Sequence, residues 1–183
     1  MIIGLIIIAL LIGFDQGTKH LAKYLLEDKP GSVWIPGVLT FNYVPNDGAA
    51  WGIFSGKQFF FFLVTIIALV AFGYLFTKID LKKKKVYTSA IILLIAGTLG
   101  NAIDRLVLGY VIDFIHIPFL TYILGIFKIP NFTFNIADLC LTVGIILLII
   151  DVIFFESKRE RNKERVSCVY DTVENKGRED DEN

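Results

Sequence analysis

The sequence predicts an all-α membrane protein, four transmembrane helices carrying a small extracytoplasmic β-rich platform. Of its 183 residues 55% are hydrophobic, and the mean hydropathy is +0.63, above the range of a soluble domain. The apolar residues gather into stretches long enough to cross a bilayer, which takes about 20 of them. Lysine and arginine cluster in alternate connections, as the sidedness of a multi-span protein requires.

Met1–Phe14 is apolar and continues at helical spacing through Asp15–Leu26. A removable signal segment would begin with basic residues and end at a small-residue cleavage site, and neither is present. Asp15 and Lys19 come next instead, four apart on one helical face, where they can pair inside the membrane. A retained helix is therefore expected at about 2–26. Gly31–Phe54 is rich in aromatic, β-branched and glycine residues and alternates in Val38–Tyr43, which predicts short strands. Gln58–Phe76 marks a second helix at about 57–77, with Phe59–Phe62 expected to face lipid. Val86–Asn101 and its flanks give a third at about 86–105. Leu106–Phe134 resembles the first platform segment, with an apolar run around Tyr122–Phe127 expected to lie along the interface. Ile136–Phe155 gives the fourth helix, at about 136–156. Residues 1–156 form one domain, and 157–183 a charged tail, basic then acidic, expected to be disordered.

The formal net charge of zero hides blocks. Lys78 and Lys82–Lys85 follow the second helix, and Lys158, Arg159, Arg161, Lys163 and Arg165 follow the fourth. The other two connections carry only Lys23, Lys29 and Lys57, or Arg105 and Lys128. Both termini are thus expected in the cytoplasm, with the two long connections outside. The lysines at 82–85 set orientation and are placed to touch anionic lipid. This blocky pattern does not suit a nucleic-acid binder.

Other chemistries find little support. Cys140 lies within the last helix and Cys168 in the tail, which argues against a disulfide framework. His20 and His116 lack a partner at metal-ligand spacing, and no H-E-x-x-H is present. Ser55 lacks the preceding glycine of a G-x-S-x-G elbow.

Polar residues are costly in a membrane helix, and here they gather toward the outer helix ends and loops. Asp15 and Lys19 lie in the first helix. Asn101, Asp104 and Arg105 share one face of the third, and Asn135 and Asp138 open the fourth. Asn46 and Asp113 belong to the outer connections. Asp15 has Lys19 one turn away and Asp104 has Arg105 adjacent, so both suit ion pairing and scaffolding. Asp113 and Asp138 have no cation within four residues in sequence. Brought together in a semi-dry site, they would share a proton, the state of a general acid–base pair acting on water and a peptide carbonyl. The rival reading is a small proton- or cation-coupled transporter using the same polar cluster.

Five blocks in order then carry a resemblance. They are Asp15-Gln16-Gly17-Thr18-Lys19, Asn46-Asp47-Gly48-Ala49-Ala50-Trp51-Gly52, Gly100-Asn101-Ala102-Ile103-Asp104-Arg105, Val111-Ile112-Asp113-Phe114 and Phe134-Asn135-Ile136-Ala137-Asp138. The chain resembles the bacterial type II lipoprotein signal peptidases over its length to about Glu156. The resemblance implies an aspartic endopeptidase of the bacterial cytoplasmic (inner) membrane, with no metal and no organic cofactor expected. Such enzymes cut prolipoproteins just before a cysteine carrying diacylglycerol, with no nucleic-acid partner, and a monomer in contact with membrane lipids is expected. It places the catalytic pair on Asp113 and Asp138, near the outer leaflet. It assigns Asn46, Asn101, Arg105 and Asn135 to substrate positioning or support of the pair, and leaves Asp15, Lys19 and Asp104 as structural polar residues. Gly48 with the following alanines leaves accessible backbone and room for small substrate residues. Two departures stand out, Trp51 where phenylalanine is usual and Ala96-Gly97 where a double glycine is common.

Overall fold

The computed structural model describes residues 1–48, 58–125 and 132–161. Four of its helices are long and apolar enough to cross a membrane: α1 (Ile2–Leu26), α2 (Gln58–Phe76), α3 (Lys85–Val107) and α5 (Ile136–Ile150) with its continuation to Arg161. A short helix, α4 (Pro118–Gly125), lies between β3 (Val111–His116) and β4 (Thr133–Phe134). With β1 (Ser32–Ile35) and β2 (Leu39–Asn46) these strands form one antiparallel sheet in the order β1-β2-β3-β4. The fold class expected from sequence is the one observed. The Ala49-Ala50-Trp51-Gly52 part of the second block and the tail beyond 161 lie outside the described residues.

Each element ends for a local reason. The β1–β2 hairpin turns at Gly37, whose φ of +73° is a conformation open to glycine and strained for other residues. The α2–α3 turn is built on Asp80, whose Oδ1 accepts from the backbone N–H of Lys82 and Lys83, both at 2.9 Å. Those bonds favour the ionised form and hold its carboxyl below the usual range. Helix α5 opens with a capping box. Asn135 accepts from the N–H of Asp138 at 2.9 Å, and Asp138 accepts in return from the N–H of Asn135 at 3.2 Å.

The core sits at α3, between α1, α2 and α5; Ala90, Ile91, Leu94 and Ala96 are almost wholly covered. In lipid, apolar side chains gain little by leaving one hydrocarbon for another, so close contact between small residues holds the helices together. The α3–α5 seam follows that rule. A Cβ on Gly97 would lie 2.5 Å from the Ala137 carbonyl oxygen, and one on Gly144 would lie 2.9 Å from Leu94 Cγ. Gly97 therefore carries the close approach that Ala96, its partner in the expected double glycine, does not. Gly97→Ala is expected to push the helices apart and cost about 1–3 kcal/mol, the usual range for overpacking, measured as thermal stability in detergent.

Two details depart from expectation. In the phenylalanine run, Phe59, Phe60 and Phe62 are exposed to the surroundings as expected, but Phe61 turns inward at 9% exposure. A run of identical residues offers no polarity contrast to reveal which one faces the bundle. At the other end of α5, Asp151 is 1% exposed and opens a π-helical turn, Asp151–Glu156. Its carboxylate is held by both terminal nitrogens of Arg159. The C-terminal part of this helix thus contains a partly buried ion pair where the hydropathy pattern shows only an apolar run.

Candidate active site

The sheet lies over one end of the bundle, and the polar residues singled out in the sequence meet beneath it. Strand β3 supplies Asp113, 3% exposed, and β2 supplies Asn46; the two strands are in register with Asn46 opposite Val111 and Val44 opposite Asp113. The N-terminus of α5 supplies Asn135 and Asp138, and the last turns of α3 supply Asn101, Asp104 and Arg105. Asp15 and Lys19 reach the same level from α1.

Neutral amides hold the two central carboxylates. Asn46 Nδ2 donates to Asp113 Oδ2 at 2.9 Å, and Asn135 Nδ2 donates to Asp113 Oδ1 at 2.8 Å. Asn101 Nδ2 donates to Asp138 Oδ1 at 2.7 Å. The two halves are joined, because Asn135 Nδ2 also donates to Asn101 Oδ1 at 3.2 Å. Among the described residues no cation lies within 4 Å of either carboxylate. Burial, and after it the charge of Asp138, push the Asp113 carboxyl up to about 7, against the pull of its two amide donors.

The charged residues form a separate layer behind the amides. Lys19 is fully buried, and its Nζ lies 2.8 Å from Asp15 Oδ2 and 3.0 Å from Asp104 Oδ2. It also donates to Asn101 Oδ1 at 3.0 Å. The sequence argument paired Asp104 with its neighbour Arg105; the structure corrects this, since the cation on Asp104 is Lys19, 85 positions away in sequence and supplied by α1. Adjacent residues on a helix point about 100° apart, which is why sequence neighbours make poor ion partners there.

The other oxygens of this layer grip backbone next to the central acids. Asp15 Oδ1 accepts from the N–H of Ala137 at 2.8 Å, one residue before Asp138. Asp104 Oδ2 accepts from the N–H of Ile112 at 3.1 Å, one residue before Asp113. Lys19 thus ties together the two clamps that set where each central carboxylate stands. Gln16, absent from the sequence argument although it lies in the first block, closes the layer by donating to Asp104 Oδ1 at 2.8 Å and to the Gly100 carbonyl at 3.1 Å. Its i+3 spacing from Lys19 was the signal available.

Arg105 stands apart. Its guanidinium lies over the Phe61 ring at 4.8 Å and reaches the carbonyls of Gly48 and Asn101 at 3.4 and 3.5 Å, and among the described residues it has no carboxylate within 4 Å. Gly48 in turn donates its N–H to Asn46 Oδ1 at 3.0 Å. A second polar patch fastens the platform to α1: Lys23 Nζ lies 3.2 Å from the Tyr110 hydroxyl, which is 2.9 Å from that of Tyr43. Sequence alone gave no sign of it, because its members come from a helix, a strand and a turn far apart in the chain.

Four apolar spans with a polar cluster beneath a sheet define a multi-pass membrane protein, and the solved structures it resembles are of a bacterial membrane enzyme. Two of these superpose with a TM-score of 0.71 at 40% identity; one alignment covers 84% of this chain and 88% of the other, the second 85% and 95%. The signal peptidase (SPase) II family matches residues 7–154, and the chain belongs to that family. The lipoprotein signal peptidase of Lactiplantibacillus plantarum is 39% identical over 153 residues, covering 84% of this chain and 95% of that protein. That of Staphylococcus aureus is 40% identical over 161 residues, covering 88% and 93%.

Proposed function

We propose that the chain removes signal peptides from prolipoproteins as an aspartic endopeptidase, with Asp113 and Asp138 as its reacting pair. One observation carries the reading: two interacting carboxylates are held by neutral amides while the nearby cation, Lys19, is taken up by two other carboxylates, Asp15 and Asp104. Such a pair keeps one proton between two acids. The ionised member takes a proton from water as the oxygen attacks the scissile carbonyl, and the protonated member donates to the carbonyl oxygen. Asn46, Asn101 and Asn135 fix the carboxylates in place. Arg105, stacked on Phe61 and bonded to carbonyls, has donors left to position substrate, and the backbone at Gly48 lies beside it.

The substrate is a prolipoprotein whose cysteine bears diacylglycerol, cut on the N-terminal side of that cysteine. Lipid on the cysteine fixes the depth at which the scissile bond arrives, so part of the orientation that catalysis requires is provided before contact. The lysine and arginine placement supports a topology with both termini in the cytoplasm and the reacting pair near the outer leaflet of the cytoplasmic membrane. A transporter reading gains no support, and its path has a gap: from Thr88 to Gly100, α3 has no ionisable side chain.

The Asp113 environment predicts a pH profile. Its carboxyl titrates at about 7, so raising the pH through that value removes the shared proton, and kcat/KM is expected to fall on the alkaline side. The hydrogen bond donated by the Asn46 amide favours the ionised form, so Asn46→Ala is expected to move that limb to higher pH. The measurement is cleavage of a purified lipidated precursor peptide across pH by the parent and the variant. An alkaline limb that stays fixed when Asn46 is removed would contradict the assignment of Asp113.

A further inference from the structure

At the end of the bundle opposite the carboxylate pair, the end of α2, the start of α3 and the continuation of α5 enclose a cleft of about 320 Å³. Leu75 and Leu148 give it an apolar base, and its charges are sorted by element. Lys78 and Lys84 come from the α2–α3 side, and Glu156 and Glu160, one helical turn apart, come from the α5 side. The remaining charges cancel, because Arg159 grips the buried Asp151 with both terminal nitrogens.

The two sides do not meet. Among the described residues neither lysine has a carboxylate within 4 Å, and neither glutamate has a cation within that distance. The lysines rest over tyrosine rings instead, Lys78 at 4.2 Å from Tyr74 and Lys84 at 5.5 Å from Tyr87. Opposite charges that line one cleft without pairing leave room for a ligand bearing both signs. The level also fits a lipid: here α2 ends and α3 begins, and tyrosine is enriched where membrane helices reach the headgroups.

We propose that this cleft binds the headgroup of a phospholipid carrying a primary amine. Lys78 and Lys84 take the phosphate, and Glu156 and Glu160 take the ammonium through charge-assisted hydrogen bonds. Acyl chains continue along the lipid-facing sides of α2 and α5, where Val70 and Val152 are exposed. A purely anionic headgroup would meet both glutamates and be repelled. A quaternary ammonium has no N–H to offer them. The site is independent of the peptidase reading, since α3 alone separates Lys85 from Asn101 by about 24 Å at 1.5 Å per residue.

The full-length chain in detergent is tested by native mass spectrometry with phosphatidylethanolamine, phosphatidylcholine and phosphatidylglycerol of matched acyl chains. Phosphatidylethanolamine is expected to bind about tenfold more tightly than either, the scale of one charge-assisted hydrogen bond. Lys78→Gln with Lys84→Gln is expected to remove that binding. Glu156→Gln with Glu160→Gln is expected to reverse the order, so that phosphatidylglycerol binds best, a gain that misfolding would not produce. Cleavage of the precursor peptide in detergent is expected to stay at the parent level in both double variants. Equal affinity for the three headgroups, a parent preference for phosphatidylglycerol, or an unchanged order in the glutamate variant would overturn the proposal.

Discussion

Replacing either Asp113 or Asp138 by asparagine is expected to reduce cleavage of a lipidated precursor by about 10²–10⁴-fold, the range supplied by a positioned general acid or base. The substitution is close to isosteric, yet it changes each site differently. At 113 one carboxylate oxygen faces Asn46 Nδ2 and the other Asn135 Nδ2, so an amide there sets one N–H₂ group against another unless Asn46 rotates. At 138 the acceptors serve Asn101 Nδ2 and the backbone N–H of Asn135, and the amide group disturbs either the link to α3 or the capping box. Each exchange leaves a polar group poorly matched, at a cost of about 1–3 kcal/mol. Cleavage must therefore be compared at matched levels of folded protein. Parent-like cleavage by Asp113→Asn or by Asp138→Asn would remove that residue from the reacting pair and with it the aspartic mechanism.

The second large effect concerns stability. Lys19→Met is expected to destabilise the protein by about 3–5 kcal/mol, the usual cost of leaving a buried ion without its partner. Here one ammonium answers two carboxylates, Asp15 and Asp104, each 2% exposed. Once it is gone, both acids are left to repel each other in a dry setting. The same three residues made neutral together, Lys19→Met with Asp15→Asn and Asp104→Asn, are expected to recover most of that loss. Asparagine oxygens can still accept from the N–H of Ala137 and Ile112. Thermal unfolding of the detergent-purified variants reads both expectations. A single variant as stable as the parent would show that the buried ammonium is dispensable, and a triple variant no better than the single would show that charge balance is not what it supplies.

The four spans were readable because hydrocarbon enforces one rule: a crossing segment must be apolar and satisfy its backbone internally. The platform was readable from composition, down to its location in the two long connections, whereas strand order and the Val44–Asp113 register depend on tertiary pairing. Picking the polar residues that cluster needed only their rarity in apolar surroundings. Assigning their partners did not follow, and Asp104 shows why. Its sequence neighbour is a cation, but a helix turns that neighbour toward Phe61, and the answering charge arrives from another helix. Asp151 escaped notice for the opposite reason: a single acid near the end of a long apolar run resembles the edge of the membrane, and only packing buries it. Phe61 and Gln16 lie inside segments that were recognised, with roles visible only once helix faces are known.

The close seam between α3 and α5 has a consequence for where water can go. The proposed mechanism needs water at the level of Asp113 and Asp138, yet a continuous file of water through the bundle would let protons run down their gradient. With Gly97 set against the Ala137 carbonyl and Gly144 against Leu94, the helices meet too tightly there for a water molecule to pass. The small residues that let the last helix approach therefore also close this seam to water, on the side of the helices away from the carboxylate pair.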